Sequence, residues 1–219
     1  MLKSQGLTLE KGALEKMIRT YTQDWFDRCI PSWTKYLDKY KGKENLRFLE
    51  VGSYEGRSTC WLLDNILTHL SSKIKCFDLF EGCSSQGEWS KELYDRYNMS
   101  EVFRNFISNV SSYGDRVEYR VGVSQELLRE LGHSPLFDFI YIDGSHIACD
   151  VLEDSVLAFR LLKPNGIMIL DDYTWEFFEE PLRHPKMGID AFLTIFHGQF
   201  DVLLKDRQVI LRKTGIKEE

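Results

Sequence analysis

Cysteine pairs, basic charge and long apolar runs are all in short supply in this chain, and each shortage closes off a class of function. Five cysteines (Cys29, Cys60, Cys76, Cys83 and Cys149) lie scattered through 219 residues, odd in number and without C-x-x-C spacing. That argues against a zinc framework or a disulfide scaffold and reads as reduced thiols in a cytosolic protein. Lys and Arg total 28 against 34 Asp and Glu, a net charge of −6, so no broad surface for nucleic acid or an anionic membrane is expected. No apolar run approaches the ~18 residues of a membrane span, and the N-terminal MLKSQGLTLEKG lacks the apolar centre of a secretory signal. The expected location is cytoplasmic, and Asn98-Met99-Ser100 and Asn109-Val110-Ser111 read as chance matches to the glycosylation pattern.

What is present is an ordinary globular balance, 43% hydrophobic and 28% charged, long enough for one domain with a large core. Residues 46–58, LRFLEVGSYEGRS, set its organisation. An apolar run from Leu46 to Val51 carries Glu50 near its end, breaks at Gly52-Ser53-Tyr54-Glu55-Gly56, and resumes with helical spacing. Buried strand, glycine turn and helix start, in that order, read as the first unit of an open α/β sheet, whose ligands bind beyond the carboxyl ends of the strands. Tyr54 stands where a dinucleotide site would need its second glycine, which argues against a pyrophosphate ligand. A phosphate-free nucleoside with a polar head fits the turn better.

The rest follows in βα units. Apolar spacing predicts helices over 8–28 and from Pro31, forming an N-terminal helical cap (1–44) ahead of one compact unit, 45–219. The cap either covers an edge of the sheet or walls a pocket. A helix over 57–70 turns Cys60, Trp61, Ile66, Leu67 and Leu70 inward, and strand two runs from Ile74 to Leu79. The polar stretch 80–98 is longer than an ordinary βα loop and is either a lid or a surface insertion. Then come a helix (99–110), strand three (117–121), a short helix (125–131), strand four (137–142) and a helix (148–162). Lys163-Pro164-Asn165-Gly166 turns the chain into strand five (167–170), a helix follows near 189–197, and 200–204 with 208–211 read as a hairpin.

Polar residues fall at the carboxyl end of every parallel strand: Glu50 with the glycine turn, Asp78, Ser124-Gln125, Asp143 with His146, and Asp171-Asp172. An Asp at a strand end often caps the next helix; capping explains the whole set poorly. Asp143, Asp171 and Asp172 on neighbouring ends would raise one another's pKa and attract a cation, either a divalent metal or a positively charged ligand. His146 is either structural or a general base beside them.

These residues resemble the class I S-adenosylmethionine-dependent methyltransferases, most closely the catechol O-methyltransferase-like and related small-molecule O-methyltransferases. EVGSYEGRS is similar to that group's E-x-G-x-Y-x-G-x-S, matching Glu50, Gly52, Tyr54 and Ser58. GVSQE resembles the adenine-contacting turn, IDGSH and LDDY the segments that supply metal-binding acids. The resemblance implies a Rossmann-like seven-stranded sheet of order 3-2-1-4-5-7-6, with an antiparallel last pair and helices on both faces. It further implies S-adenosylmethionine held by Glu50, Gly52, Ser53, Tyr54, Ser58, Asp78, Ser124, Gln125 and Asp143. Asp143, Asp171 and Asp172 would bind Mg²⁺ or another divalent cation, and His146 with Asp143 would carry catalysis. Catechol enzymes have Lys at the position of His146 and Asn at that of Asp172, whereas an Asp pair occurs in relatives acting on sugars and natural products. The expected function is O-methylation of a small hydroxylated molecule; metal-independent N- or O-methylation and non-catalytic cofactor binding are the alternatives. A small-molecule acceptor is the expected partner, and a homo-oligomer is left open. Trp25, Trp33, Trp89 and Trp175 would suit a flat acceptor or merely fill the core.

Overall fold

The structure, a computed structural model, describes residues 19–80, 98–176 and 178–215. The part before residue 19 of the helix expected over 8–28, residues 81–97 of the long polar loop with Cys83 and Trp89, and Phe177 lie outside those residues. Seven strands form one sheet: β1 (Arg47–Val51), β2 (Lys73–Asp78), β3 (Val117–Val121), β4 (Phe137–Ile142), β5 (Leu162–Leu170), β6 (Phe200–Lys205) and β7 (Val209–Lys213). Their order is β3-β2-β1-β4-β5-β7-β6, with β1 to β5 parallel and β7 antiparallel to both its neighbours.

Why the middle of the sheet lies where it does is plain from side chains. In β4, FDFIYI, every residue but Asp138 is buried, as a strand covered on both faces requires. Asp138 sits at its start, where its carboxylate accepts from the Arg47 N–H at 2.9 Å and pairs with Lys163. Strand alternation splits β1 between two cores. Phe48 packs with Phe139, Tyr141, Trp33 and Phe106 under α1 (Ile30–Leu37), α2 (Arg57–Asn65) and α3 (Met99–Val110). Leu49 and Val51 pack with Ile140, Phe159 and Phe192 under α4 (Ser124–Glu130), α5 (Ala148–Leu161) and α6 (Pro185–Ile195). Each large apolar side chain so buried contributes roughly 1.5–3 kcal/mol.

Several boundaries differ from the sequence expectation. α2 stops at Asn65, so Leu70 lies beyond the helix and is 78% exposed rather than turned inward. β2 ends at Asp78 and α6 starts at Pro185. β5 starts at Leu162, taking in Pro164-Asn165-Gly166 with Asn165 at φ +64°, and its pairing to β4 shifts register between Phe137 and Phe139. Residues 19–24 form no helix, and Trp25–Cys29 is a short 3₁₀ turn. No helix among the described residues is long and apolar enough to cross a membrane.

Candidate active site

The parallel ladder runs one rung past the strands. Gly52 N–H donates to Phe77 O at 2.8 Å, Gly122 N–H to Asp78 O at 3.0 Å, Asp143 N–H to Val51 O at 2.8 Å and Asp171 N–H to Ile142 O at 3.0 Å. Those rungs align five strand ends along one edge, over a cavity of about 460 Å³. Gly52, Ser53, Tyr54, Ser58, Asp78, Ser124, Gln125, Asp143, His146, Asp171 and Asp172 all line it. Glu50 alone of the expected set does not.

Glu50 lies under the glycine turn, fully buried. Its carboxylate accepts from Ser53 Oγ at 3.1 Å and from the hydroxyls of Ser58 and Thr59. Burial raises its pKa above the usual carboxylate range, and those hydroxyls oppose the shift. Above it, Asp78 Oδ2 accepts from the backbone N–H groups of Ser53 at 2.7 Å and Tyr54 at 2.8 Å, while Oδ1 takes that of Phe80 at 2.9 Å. These bonds hold Tyr54 in the left-handed region at φ +47°, a conformation most non-glycine residues avoid. Burial also raises the Asp78 pKa, against the three backbone donors.

At the other end the acids differ in their contacts. His146 Nε2 lies 2.7 Å from Asp172 Oδ2, and the imidazole packs on Trp175 with ring centroids 4.8 Å apart. Ligand atoms of Asp143, His146 and Asp172 lie within 4.8 Å of one another. Asp171, expected alongside Asp143 and Asp172, is instead engaged from below. Its Oδ1 accepts from Asp172 N–H at 2.7 Å, and its Oδ2 from Gln208 Nε2 at 2.9 Å and from the Tyr141 hydroxyl. Gln208 is in turn fixed by Trp33 Nε1–H at 2.9 Å, so a buried polar chain joins α1 to the site. Tyr141 also lies 2.8 Å from Asp143 Oδ2. One hydroxyl proton serves two carboxylates, an arrangement that favours a further proton or a cation between them. Burial first, then Asp171 and Asp172, push the Asp143 carboxyl well above its usual range; burial and then Asp172 raise Asp171. Asp172 adopts φ +56°, backbone strain of the kind that gathers at working sites.

Residues 19–28 cross beside the cavity and supply Gln23, Trp25, Phe26 and Arg28 to its lining. Asn109 holds both backbone groups of Thr20, Glu55 accepts the Thr22 N–H at 2.6 Å, and Arg57 clasps Asp27. Trp25 lies 5.4 Å from Tyr54, and Arg28 reaches to 4.0 Å from Asp172. The sequence left open that the N-terminal cap walls a pocket and singled out Trp25, but it predicted a helix rather than this strap, and it missed Gln23, Arg28, Tyr141 and Gln208. Tyr141 alone had a signal: it lies two residues before Asp143, on the same face of β4.

Comparison with known proteins bears on this geometry. A methyltransferase-domain family matches residues 49–173, more than half of the chain. No curated protein matches it in sequence. Among solved structures it is similar to an O-methyltransferase from Bacillus cereus in complex with SAH, 20% identical, covering 77% of this chain and 74% of that one at a TM-score of 0.55. It is similar to the O-methyltransferase TomG from Streptomyces achromogenes, solved with SAM, at 16% identity, 84% and 80% coverage and a TM-score of 0.59. It also resembles the MycE methyltransferase of the mycinamycin biosynthetic pathway, solved with Mg, SAH and mycinamycin VI, at 18% identity, 91% and 52% coverage and a TM-score of 0.55. At these identities the likeness carries the fold.

Proposed function

The chain belongs to the methyltransferase-domain family, and from there we propose that it is an S-adenosylmethionine-dependent O-methyltransferase acting on a small hydroxylated molecule. The observation that carries this reading is the meeting, in one cavity, of a polar nucleoside end (Asp78, Ser124, Gln125) and an imidazole–carboxylate end (Asp143, His146, Asp172). Gln125 supports the fit, since its Nε2 is buried at the cavity without a partner among the described residues. A buried donor left open calls for a ligand acceptor.

When bound, S-adenosylmethionine supplies a sulfonium-borne methyl group that passes to a nucleophile. Asp78, Ser124 and Gln125 would hold its nucleoside, and the turn Gly52-Ser53-Tyr54 would bound its methionine end, braced by Glu50 and Ser58. The Asp143, Asp171 and Asp172 carboxylates give this end of the cavity negative charge suited to a cationic donor. Asp172, 2.7 Å from His146 Nε2, would orient the imidazole, and the imidazole would take the acceptor's hydroxyl proton.

The donor set also fits a divalent cation such as Mg²⁺, which when bound would orient the acceptor oxygen and lower its pKa. Asp143 and Asp172 would hold it, with Asp171 steadying both through Tyr141 and its own backbone contact. A second reading rests on the 4.8 Å grouping of Asp143, His146 and Asp172, in which His146 is a ligand rather than the base. The test is methyl transfer from labelled S-adenosylmethionine to a panel of hydroxylated acceptors, with and without chelator. Product that disappears with chelator and returns with Mg²⁺ supports the metal. Product indifferent to chelator removes it, and cofactor binding with no product on any acceptor removes catalysis. His146→Ala with Mg²⁺ affinity unchanged makes the imidazole the base; lost affinity makes it a ligand.

A further inference from the structure

Among the described residues, two buried side-chain polar atoms lack a hydrogen-bond partner, Gln125 Nε2 and Asp154 Oδ1. They meet at Ser124. Gln125 follows it in the chain, and Asp154 Oδ2, on α5, lies 2.9 Å from Ser124 Oγ. Ser124 and Gln125 line the cavity, whereas Asp154 is fully buried and does not. We propose that Asp154 is a positioning residue for the nucleoside end, its proton deciding whether Ser124 offers the cavity a hydrogen-bond donor or only lone pairs. The inference rests on the cavity being the S-adenosylmethionine site.

A serine hydroxyl has one hydrogen and two lone pairs. When Asp154 is protonated, the one hydrogen bond open to its acid O–H is the contact to Ser124 Oγ. Ser124 then accepts from behind, and its own hydrogen is free to turn into the cavity. When Asp154 is ionised, it draws that hydrogen to itself and leaves Ser124 an acceptor on the cavity side. With Ser124 facing one of adenine's acceptor ring nitrogens rather than its 6-amino donor, the protonated state is the binding state.

The surroundings favour that state at neutral pH. Burial pushes Asp154 up to about 8, with the Ser124 bond opposing, Asp150 and Glu153 adding and Arg129 subtracting. Arg129 is itself committed to Glu153 and to the Gln125 carbonyl. The other elements packed on α5 carry further charged groups. Lys186 and Asp190 of α6 pair together, Lys163 of β5 pairs with Asp138, Asp143 just past β4 is held by Tyr141, Arg183 lies over Phe178, and of the α4 acids Glu130 pairs with Arg120 while Glu126 adds negative charge. None of those pairings neutralises Asp154.

The test is calorimetric titration with 5′-methylthioadenosine, which keeps the nucleoside and lacks the titrating amino-acid group, and with S-adenosylhomocysteine, on wild type, Asp154→Asn and Ser124→Ala. The wild type is expected to lose about three- to tenfold in affinity as pH rises through ~8, the worth of one net hydrogen bond. Asp154→Asn, whose amide does not titrate, stays level over that range, and Ser124→Ala is weaker and level. An affinity that is flat in the wild type, or a slope that persists in both variants, overturns the proposal while leaving the cofactor site standing. Binding of neither ligand at any pH overturns the cofactor reading, and this inference falls with it.

Discussion

A methyl group placed on Gly52 would lie 1.9 Å from the carbonyl oxygen of Asp143. The turn after β1 and the end of β4 are therefore in backbone contact, and Gly52 also sits at φ +85°, where side chains are strained. Gly52→Ala must push the two strand ends apart. It is expected to cost about 2 kcal/mol or more, lowering Tm by roughly 4–8 °C in a chain of this size, and to weaken S-adenosylmethionine binding at least about tenfold. Thermal melts and calorimetry check both; an unchanged Tm contradicts the contact.

Among the described residues, Tyr141 is the only donor placed between Asp143 and Asp171, and it is nearly fully buried. Tyr141→Phe keeps the ring's packing against Trp33 and removes the hydroxyl. Losing such an outer support typically costs about 10–100-fold in metal affinity or activity. The expected result is a drop of that order in kcat with cofactor affinity within about threefold of wild type.

His146 stands against Asp172 and Trp175. As the base it would contribute about 10²–10⁴ in rate, so His146→Ala should lower kcat by that factor with little change in KM for the cofactor. A parallel loss of cofactor affinity would mean that the imidazole only shapes the pocket.

Asp154 also sets a pH dependence of stability. Its folded pKa, about 8, exceeds the ~3.9 of an unfolded aspartate, so the folded state binds the extra proton. The contribution is complete below about pH 4, declines as pH rises and is gone above about 8, at no more than ~1.4 kcal/mol per pH unit. Denaturant unfolding of Asp154→Asn should therefore show a shallower loss of stability between those limits than the wild type.

The parts of this molecule legible in its sequence are those governed by local rules. The apolar run of β4 could only be a central strand, and the glycine turn after β1 could only reverse a chain. Leu70 was misplaced because apolar spacing continues past the point where α2 ends at Asn65. The early start of β5 was hidden because Pro164-Asn165-Gly166 has turn composition: Leu162 pairs with Phe137 and Ile167 with Phe139, and the residues between them bulge out at the register shift, Asn165 at φ +64°. Asp171 looked equivalent to Asp172. Their contacts differ because Gln208, thirty-seven positions on, donates to one of them alone, and adjacent residues give no hint of such a partner. The strap over residues 19–28 is likewise held by Asn109, Glu55 and Arg57 rather than by a pattern of its own.

The central claim is that five strand ends make one cofactor site, and calorimetric titration of S-adenosylmethionine into wild type and Asp78→Asn tests it most directly. The account predicts saturable binding with Kd between about 1 μM and 1 mM, the usual range for enzyme substrates, weakened at least about tenfold by Asp78→Asn, which removes the charge that gathers the Ser53 and Tyr54 N–H groups. No heat with the wild type, or identical binding by the variant, would contradict it.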